Sequence, residues 1–303
     1  MIERGGYVAV VTEVGAALRN YEVDGLPLCL GFGADELPTG SRGQVLAPWP
    51  NRLSGGRYEF AGRSGRAAVD GAAGEYAMHG LVRWQPWRLE GRRQDAVELS
   101  LVLYPQPAYP FCLALGIEDR LEDRGLVVTT RATNEGEVAA PFGLGFHSYF
   151  HAGSAGVDGC CLELPARSHV LFDEQYLPRG RQGVDKSRFA GLAVHGSGLA
   201  LGATAINDCF SDLEADDGCW HARLILPQER FDLELWAEAA FAYAMVYSGD
   251  HMEAPLRRRG IAVEPMTCAP NALRSGQDLI VLDPGASFAA TWGMRPAAST
   301  SAT

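Results

Sequence analysis

The sequence predicts an all-β fold in one domain. Three observations carry this. Segments in which apolar and polar residues alternate recur at short intervals, which is the period of a strand with one face buried. Clusters of Gly, Pro, Asn and Asp separate them, as turns require. No stretch of ten or more residues carries the apolar period of an amphipathic helix. Many short strands of this kind imply a sandwich or a barrel.

The strands can be read off in order. Residues 7–12 are short and β-branched. Val97, Leu99, Leu101 and Leu103 alternate with Glu98, Ser100 and Val102. Residues 111–121 and 126–133 flank Glu122-Asp123-Arg124-Gly125, whose polar residues and glycine suit a turn. Phe231, Leu233, Leu235 and Ala237 alternate with Asp232, Glu234, Trp236 and Glu238. Residues 243–247, 261–266 and 288–293 add three more strands. No Pro/Ser-rich linker and no fixed-period repeat divides the chain, so residues 1–296 read as one domain. Residues 297–303 are small and polar and are expected to form a frayed tail.

Bulk properties narrow the class. The 303 residues carry a net charge of −11, which repels nucleic acid and anionic membranes, so neither is an expected partner. With 47% hydrophobic residues the chain can bury a large core. No run of about 18 apolar residues occurs, so no membrane span is expected. Seven scattered cysteines form no C-x-x-C pair, which speaks against both a disulfide framework and a zinc knuckle. These features, with no leader-like segment at the start, give a cytoplasmic address as the expectation.

Four segments place polar residues in apolar or glycine-rich surroundings. In Pro48-Trp49-Pro50-Asn51-Arg52, two prolines stiffen a loop that presents an arginine fork suited to hydroxyls or carboxylates. Taken alone, a structural arginine paired with an acid is the better explanation of Arg52. In Met78-His79-Gly80-Leu81, a histidine sits near Trp84 and Trp87, whose faces could pack on a pyranose. A satisfied core histidine is the competing explanation. In Gly145-Phe146-His147-Ser148-Tyr149-Phe150-His151, the two histidines would share a strand face and invite a metal. No third ligand stands at a recognisable spacing, so a metal-free site with one catalytic and one peripheral histidine is expected. In Ile261-Ala262-Val263-Glu264-Pro265-Met266, a glutamate interrupts an apolar strand, which is costly unless it is paired or functional. Burial would raise its pKa and improve it as a base. Asp208, in Asn207-Asp208-Cys209-Phe210, is a weaker candidate, since a turn aspartate would read the same way.

In this order, Pro50-Asn51-Arg52, His79-Gly80-Leu81 with Arg83-Trp84, Gly145-Phe146-His147 to Phe150, Asn207-Asp208-Cys209-Phe210 and Val263-Glu264-Pro265-Met266-Thr267 to Asn271-Ala272 resemble the aldose 1-epimerase (galactose mutarotase) family. The resemblance implies an antiparallel β-supersandwich with a sugar cleft on one face. It implies Glu264 as general base and His147 as general acid in opening and reclosing the ring of a free aldose. It implies Arg52, His79 and Asp208 as the residues that hold the sugar, with no cofactor. Ser148 stands where the family often has proline. Two other readings remain at this level. A hexose-6-phosphate or other anionic-sugar 1-epimerase would need extra basic residues, for which Arg83 and Arg257-Arg258-Arg259 are available. A non-catalytic sugar-binding module would need no acid–base pair.

Overall fold

The computed structural model describes residues 1–70 and 75–299. The alternating segments pair in it as antiparallel strands. A nine-stranded sheet runs in the order Arg88–Arg92, Ala96–Leu103, Leu113–Glu122, Gly125–Asn134, Ser287–Ala297, Asp232–Glu238, Cys219–Ile225, Cys161–Glu163 and Leu199–Ala200. The turn at Asp123-Arg124 closes as the residues suggest, with Glu122 opposite Gly125. Along Leu113–Glu122, Leu113, Leu115, Ile117 and Leu121 point into the core, while Ala114, Gly116, Glu118 and Arg120 stay partly exposed. Asp119 takes one of the inward positions.

A second sheet holds Pro178–Gly183, Ala166–Phe172, Asn207–Leu213, Tyr243–Tyr247, Gly260–Met266, Gly145–Phe146 and Val45–Leu46, with Tyr149–His151 pairing farther along Gly260–Met266. One face of it packs on the nine-stranded sheet. Phe210, Ala244, Val246, Ile261 and Val263 join Leu115, Ile117, Val128 and Leu235 in one apolar cluster. Period-2 geometry then turns the residues between them to the opposite face. Those residues include Met245, Tyr247 and Glu264.

A small four-stranded sheet formed by the first strands packs against the edge of the sandwich, where the Tyr21 hydroxyl donates to the Met294 carbonyl and accepts from the Leu126 amide. Ala297, the first residue of the expected tail, belongs to the last strand. Ala297 is still paired with Asp232, and Arg223 donates to the Ala298 carbonyl. The rest of the expected tail, residues 300–303, lies outside the described residues. No helix is long and apolar enough to cross a membrane among them.

Candidate active site

Every residue of Gly260–Met266 is buried, but for two different reasons. Ile261 and Val263 fill the sandwich. Glu264 lies on the other face, in register with Met245, and lines a cavity of about 310 Å³. Arg52, His79 and His147 line the same cavity. Four of the five residues expected to meet around a sugar therefore come together, although the sequence separates them by up to 212 positions (264 − 52).

His147 occupies the gap between Gly145–Phe146 and Tyr149–His151. Its amide donates to the Gln44 carbonyl and its own carbonyl accepts from the Gly43 amide, which fixes the backbone. Its ring stacks on Tyr149 at 5.1 Å and meets the edge of His79 at 5.2 Å. Nε2 lies 3.2 Å from Glu264 Oε1. His79 and Asn51 brace each other. The His79 amide donates to the Asn51 carbonyl, and the Asn51 amide donates to His79 Nδ1. The other ring nitrogen of His79 is thereby a donor.

Non-glycine residues with left-handed backbone gather here. Ser41, Asn51 and His79 have φ of 57°, 58° and 60°. Such conformations cost on the order of 1 kcal/mol each and cluster where geometry matters more than stability. The glycine after His79 is also required, because a Cβ at Gly80 would lie 2.0 Å from the Ala47 carbonyl oxygen. Arg52 is buried with its guanidinium between Tyr76, at 5.0 Å, and Tyr176, at 4.7 Å. It donates to Asn51 Oδ1, and no described carboxylate forms an ion pair with it.

Burial dominates the electrostatics. It pushes the Glu264 carboxyl up to about 8, against the pull of Arg52. It pushes His147 down to about 3, with Arg83 adding to the shift. His79 is held well below its ordinary value by burial first and then by His147 and the two arginines. Burial thus favours the uncharged form of both members of the Glu264–His147 pair. Arg52 Nε, His147 Nδ1 and Glu264 Oε2 are buried without a protein partner, all on residues that line one cavity.

Asp208 is placed differently. Asn207, not Asp208, lines the cavity with Glu264. In Asn207–Leu213 the two point to opposite faces, and Asp208 shares the side of Phe210 and His169. His169 Nε2 and Arg188 each approach its carboxylate at 2.8 Å, which holds its pKa low despite burial. It lines an adjoining cavity instead. His151 also departs from the cleft. It lines a separate cavity with Glu229 and Arg259, and its Nδ1 accepts from the Gly153 amide. Among the described residues no three His, Cys, Asp or Glu side chains converge as a metal-ligand set. Arg258 clamps Asp158 and Asp250, and Arg259 donates to the carbonyls of Gly153 and Ser154, whereas Arg257 is exposed and its charge acts on Tyr247 of the cleft. Arg83 lines the cleft, but pairs with Asp70.

Two stacked antiparallel sheets with a polar cleft on the outer face define a galactose mutarotase-like protein. The chain belongs to the aldose 1-epimerase family, whose model matches residues 1–295. It is 33% identical over 282 residues to the uncharacterized protein YihR of Escherichia coli, covering 93% of this chain and 87% of that one. The uncharacterized protein YphB of the same organism is 24% identical, with 97% of each chain covered. Among solved structures, the GalM/aldose epimerase homologue from C. elegans superposes with a TM-score of 0.85 at 17% identity, covering 97% of this chain and 96% of that one. A galactose mutarotase-like protein from Clostridium acetobutylicum gives 0.84 at 17% identity, covering 96% and 93%. At these identities the structures speak for the fold.

Proposed function

We propose that the chain is an aldose 1-epimerase, an isomerase that interconverts the α and β anomers of a free, uncharged sugar. The observation that carries this reading is the buried Glu264–His147 pair, 3.2 Å apart, with both residues lining one cavity of about 310 Å³. Anomerisation needs the C1 hydroxyl proton removed and a proton delivered to the ring oxygen. The C1–ring-oxygen bond breaks as the C1 carbonyl forms. Rotation about C1–C2 and reclosure on the other face reverse both transfers.

Glu264 takes the hydroxyl proton and His147 protonates the ring oxygen. The required charge state is reached from the neutral pair by moving one proton from carboxyl to imidazole, with no exchange with solvent. Arg52 and the sugar's own hydroxyls favour the carboxylate once water is excluded. Arg52, the free ring nitrogen of His79 and the Asn207 amide hold the other hydroxyls. The family is one of small-sugar enzymes, and every role assigned here needs only side chains of this chain. The neutral substrate is supported by Asp70, which already neutralises Arg83, and by the engagement of Arg258 and Arg259 elsewhere.

The test is a polarimetric or NMR panel of freshly dissolved glucose, galactose, xylose and arabinose, with a uronate, a sulfonated hexose and glucose 6-phosphate. At least one neutral aldose should equilibrate faster than in buffer. Binding without accelerated equilibration of any sugar would make the chain a sugar-binding module.

A further inference from the structure

We propose that the cleft contains a second subsite, built for the next neutral sugar unit of a reducing oligosaccharide. The proposal rests on the epimerase reading of the first cavity. A second cavity of about 440 Å³, larger than the first at about 310 Å³, adjoins it. Asn207, Tyr247 and His251 line both, so the two meet along these residues. The Tyr247 and His251 rings stack nearly parallel at the junction, 7° apart in plane with centroids 6.4 Å apart. Aromatic rings at such a place suit the C–H faces of pyranose rings.

Tyr176 ties the two cavities together. It lines the second while its ring covers Arg52 of the first, 4.7 Å from the guanidinium. It does so at φ 57°, a backbone conformation that tyrosine disfavours. The turn that imposes this is capped by Asp173, whose Oδ1 accepts from the amides of Gln175 and Leu177. Backbone strain held by a cap marks a position where the ring's location matters.

The chemistry of the lining selects the ligand. Asp173, Glu174, Asp208 and Asp250 line the second cavity; Arg188 pairs with Asp208 and Arg258 with Asp250, which leaves Asp173 and Glu174 in excess. This excess of carboxylates repels a phosphate or a uronate and accepts hydrogen bonds from sugar hydroxyls. The reducing unit reacts in the first cavity as already described. The glycosidic bond and the second unit undergo no chemistry.

The test compares glucose with maltose, cellobiose, lactose and melibiose, all of which present glucose at the reducing end, and with glucose 6-phosphate. Ala205 is exposed and lines only the second cavity, so Ala205→Trp fills it without touching the first. At least one disaccharide should show kcat/KM about tenfold above glucose, mainly through KM, as one or two added hydrogen bonds provide. Ala205→Trp should abolish that advantage and leave glucose within about twofold. Disaccharides no better than glucose, an advantage that survives Ala205→Trp, or a preference for glucose 6-phosphate would each overturn the proposal. If no sugar is turned over, the epimerase reading fails and calorimetry decides the subsite separately. Tenfold tighter disaccharide binding lost in Ala205→Trp supports it, and equal affinities overturn it.

Discussion

Each large sheet has a buried carboxyl whose pKa burial raises, Asp119 in one and Glu264 in the other, and the two have different fates. Glu264 and Asp119 are 2% and 3% exposed. Burial raises both, to about 8 and about 7. Asp119 points into the closed sandwich between Val97 and Val128, with Oδ2 unpartnered and only the neighbouring Glu118 adding to its shift. Glu264 faces outward into a cavity, with His147 at 3.2 Å and Arg52 pulling its pKa back. A raised carboxyl alone is therefore no sign of a site. Access and a proton-transfer partner make the difference.

The largest effects should separate the two acids by activity. Glu264→Gln and His147→Asn should each lower kcat by about 10²–10⁴-fold. The double variant should fall far short of the product, because the residues act as one unit. Asp119→Asn should stay within about twofold. Steady-state mutarotation rates check all four, and a comparable loss in Asp119→Asn would break the comparison.

Arg52→Ala should act mainly on KM, raising it about tenfold, since it removes a ground-state contact to hydroxyls. Loss of its pull should also move Glu264 farther up, visible as a shifted alkaline limb. A change confined to kcat would show that Arg52 acts on the transition state instead.

The pH profile comes next. The pair works with one proton. Raising pH through about 8 removes it from Glu264, so kcat/KM should fall there. His147, lowered to about 3, adds no limb between pH 6 and 7 in the free enzyme and sets the acid limb far lower. A single drop centred at an ordinary histidine value would contradict this proton count.

The smallest effect is on stability. Both folded carboxyls bind protons more tightly than unfolded ones, so stability falls as pH rises from the ordinary carboxylate range, about 4, through the folded values. Asp119→Asn should raise Tm by about 2–4 °C at pH 8 and much less at pH 4, read by calorimetry. A lowered Tm at pH 8 would mean that the carboxylate has a stabilising partner.

How legible this was in the sequence depended on which faces are buried. The strand Leu113–Glu122 alternates because one of its faces meets solvent, and its turn was readable from polar residues. Gly260–Met266 is buried on both faces, so alternation could not show which way Glu264 points. What betrayed Glu264 was a charge in an apolar run. The same rule could not choose between Asn207 and Asp208. They are adjacent, and only the register against Tyr247 and Val246 decides which one enters the cleft. Tyr176 gave no signal, because its position over Arg52 depends on a turn that forms only in the folded chain. The lowered pKa of His147 gave no sequence signal either, since desolvation by the folded surroundings sets it.

The most direct test of the central claim measures binding and turnover on one sample of Glu264→Gln, using the aldose that the wild type equilibrates fastest. Exchange NMR reads the α–β interconversion rate and calorimetry reads the affinity. The amide keeps the size and hydrogen bonding of the carboxyl but cannot accept the hydroxyl proton. The account predicts a Kd within a few-fold of wild type and an interconversion rate close to that of buffer. Near-wild-type interconversion in Glu264→Gln would contradict it.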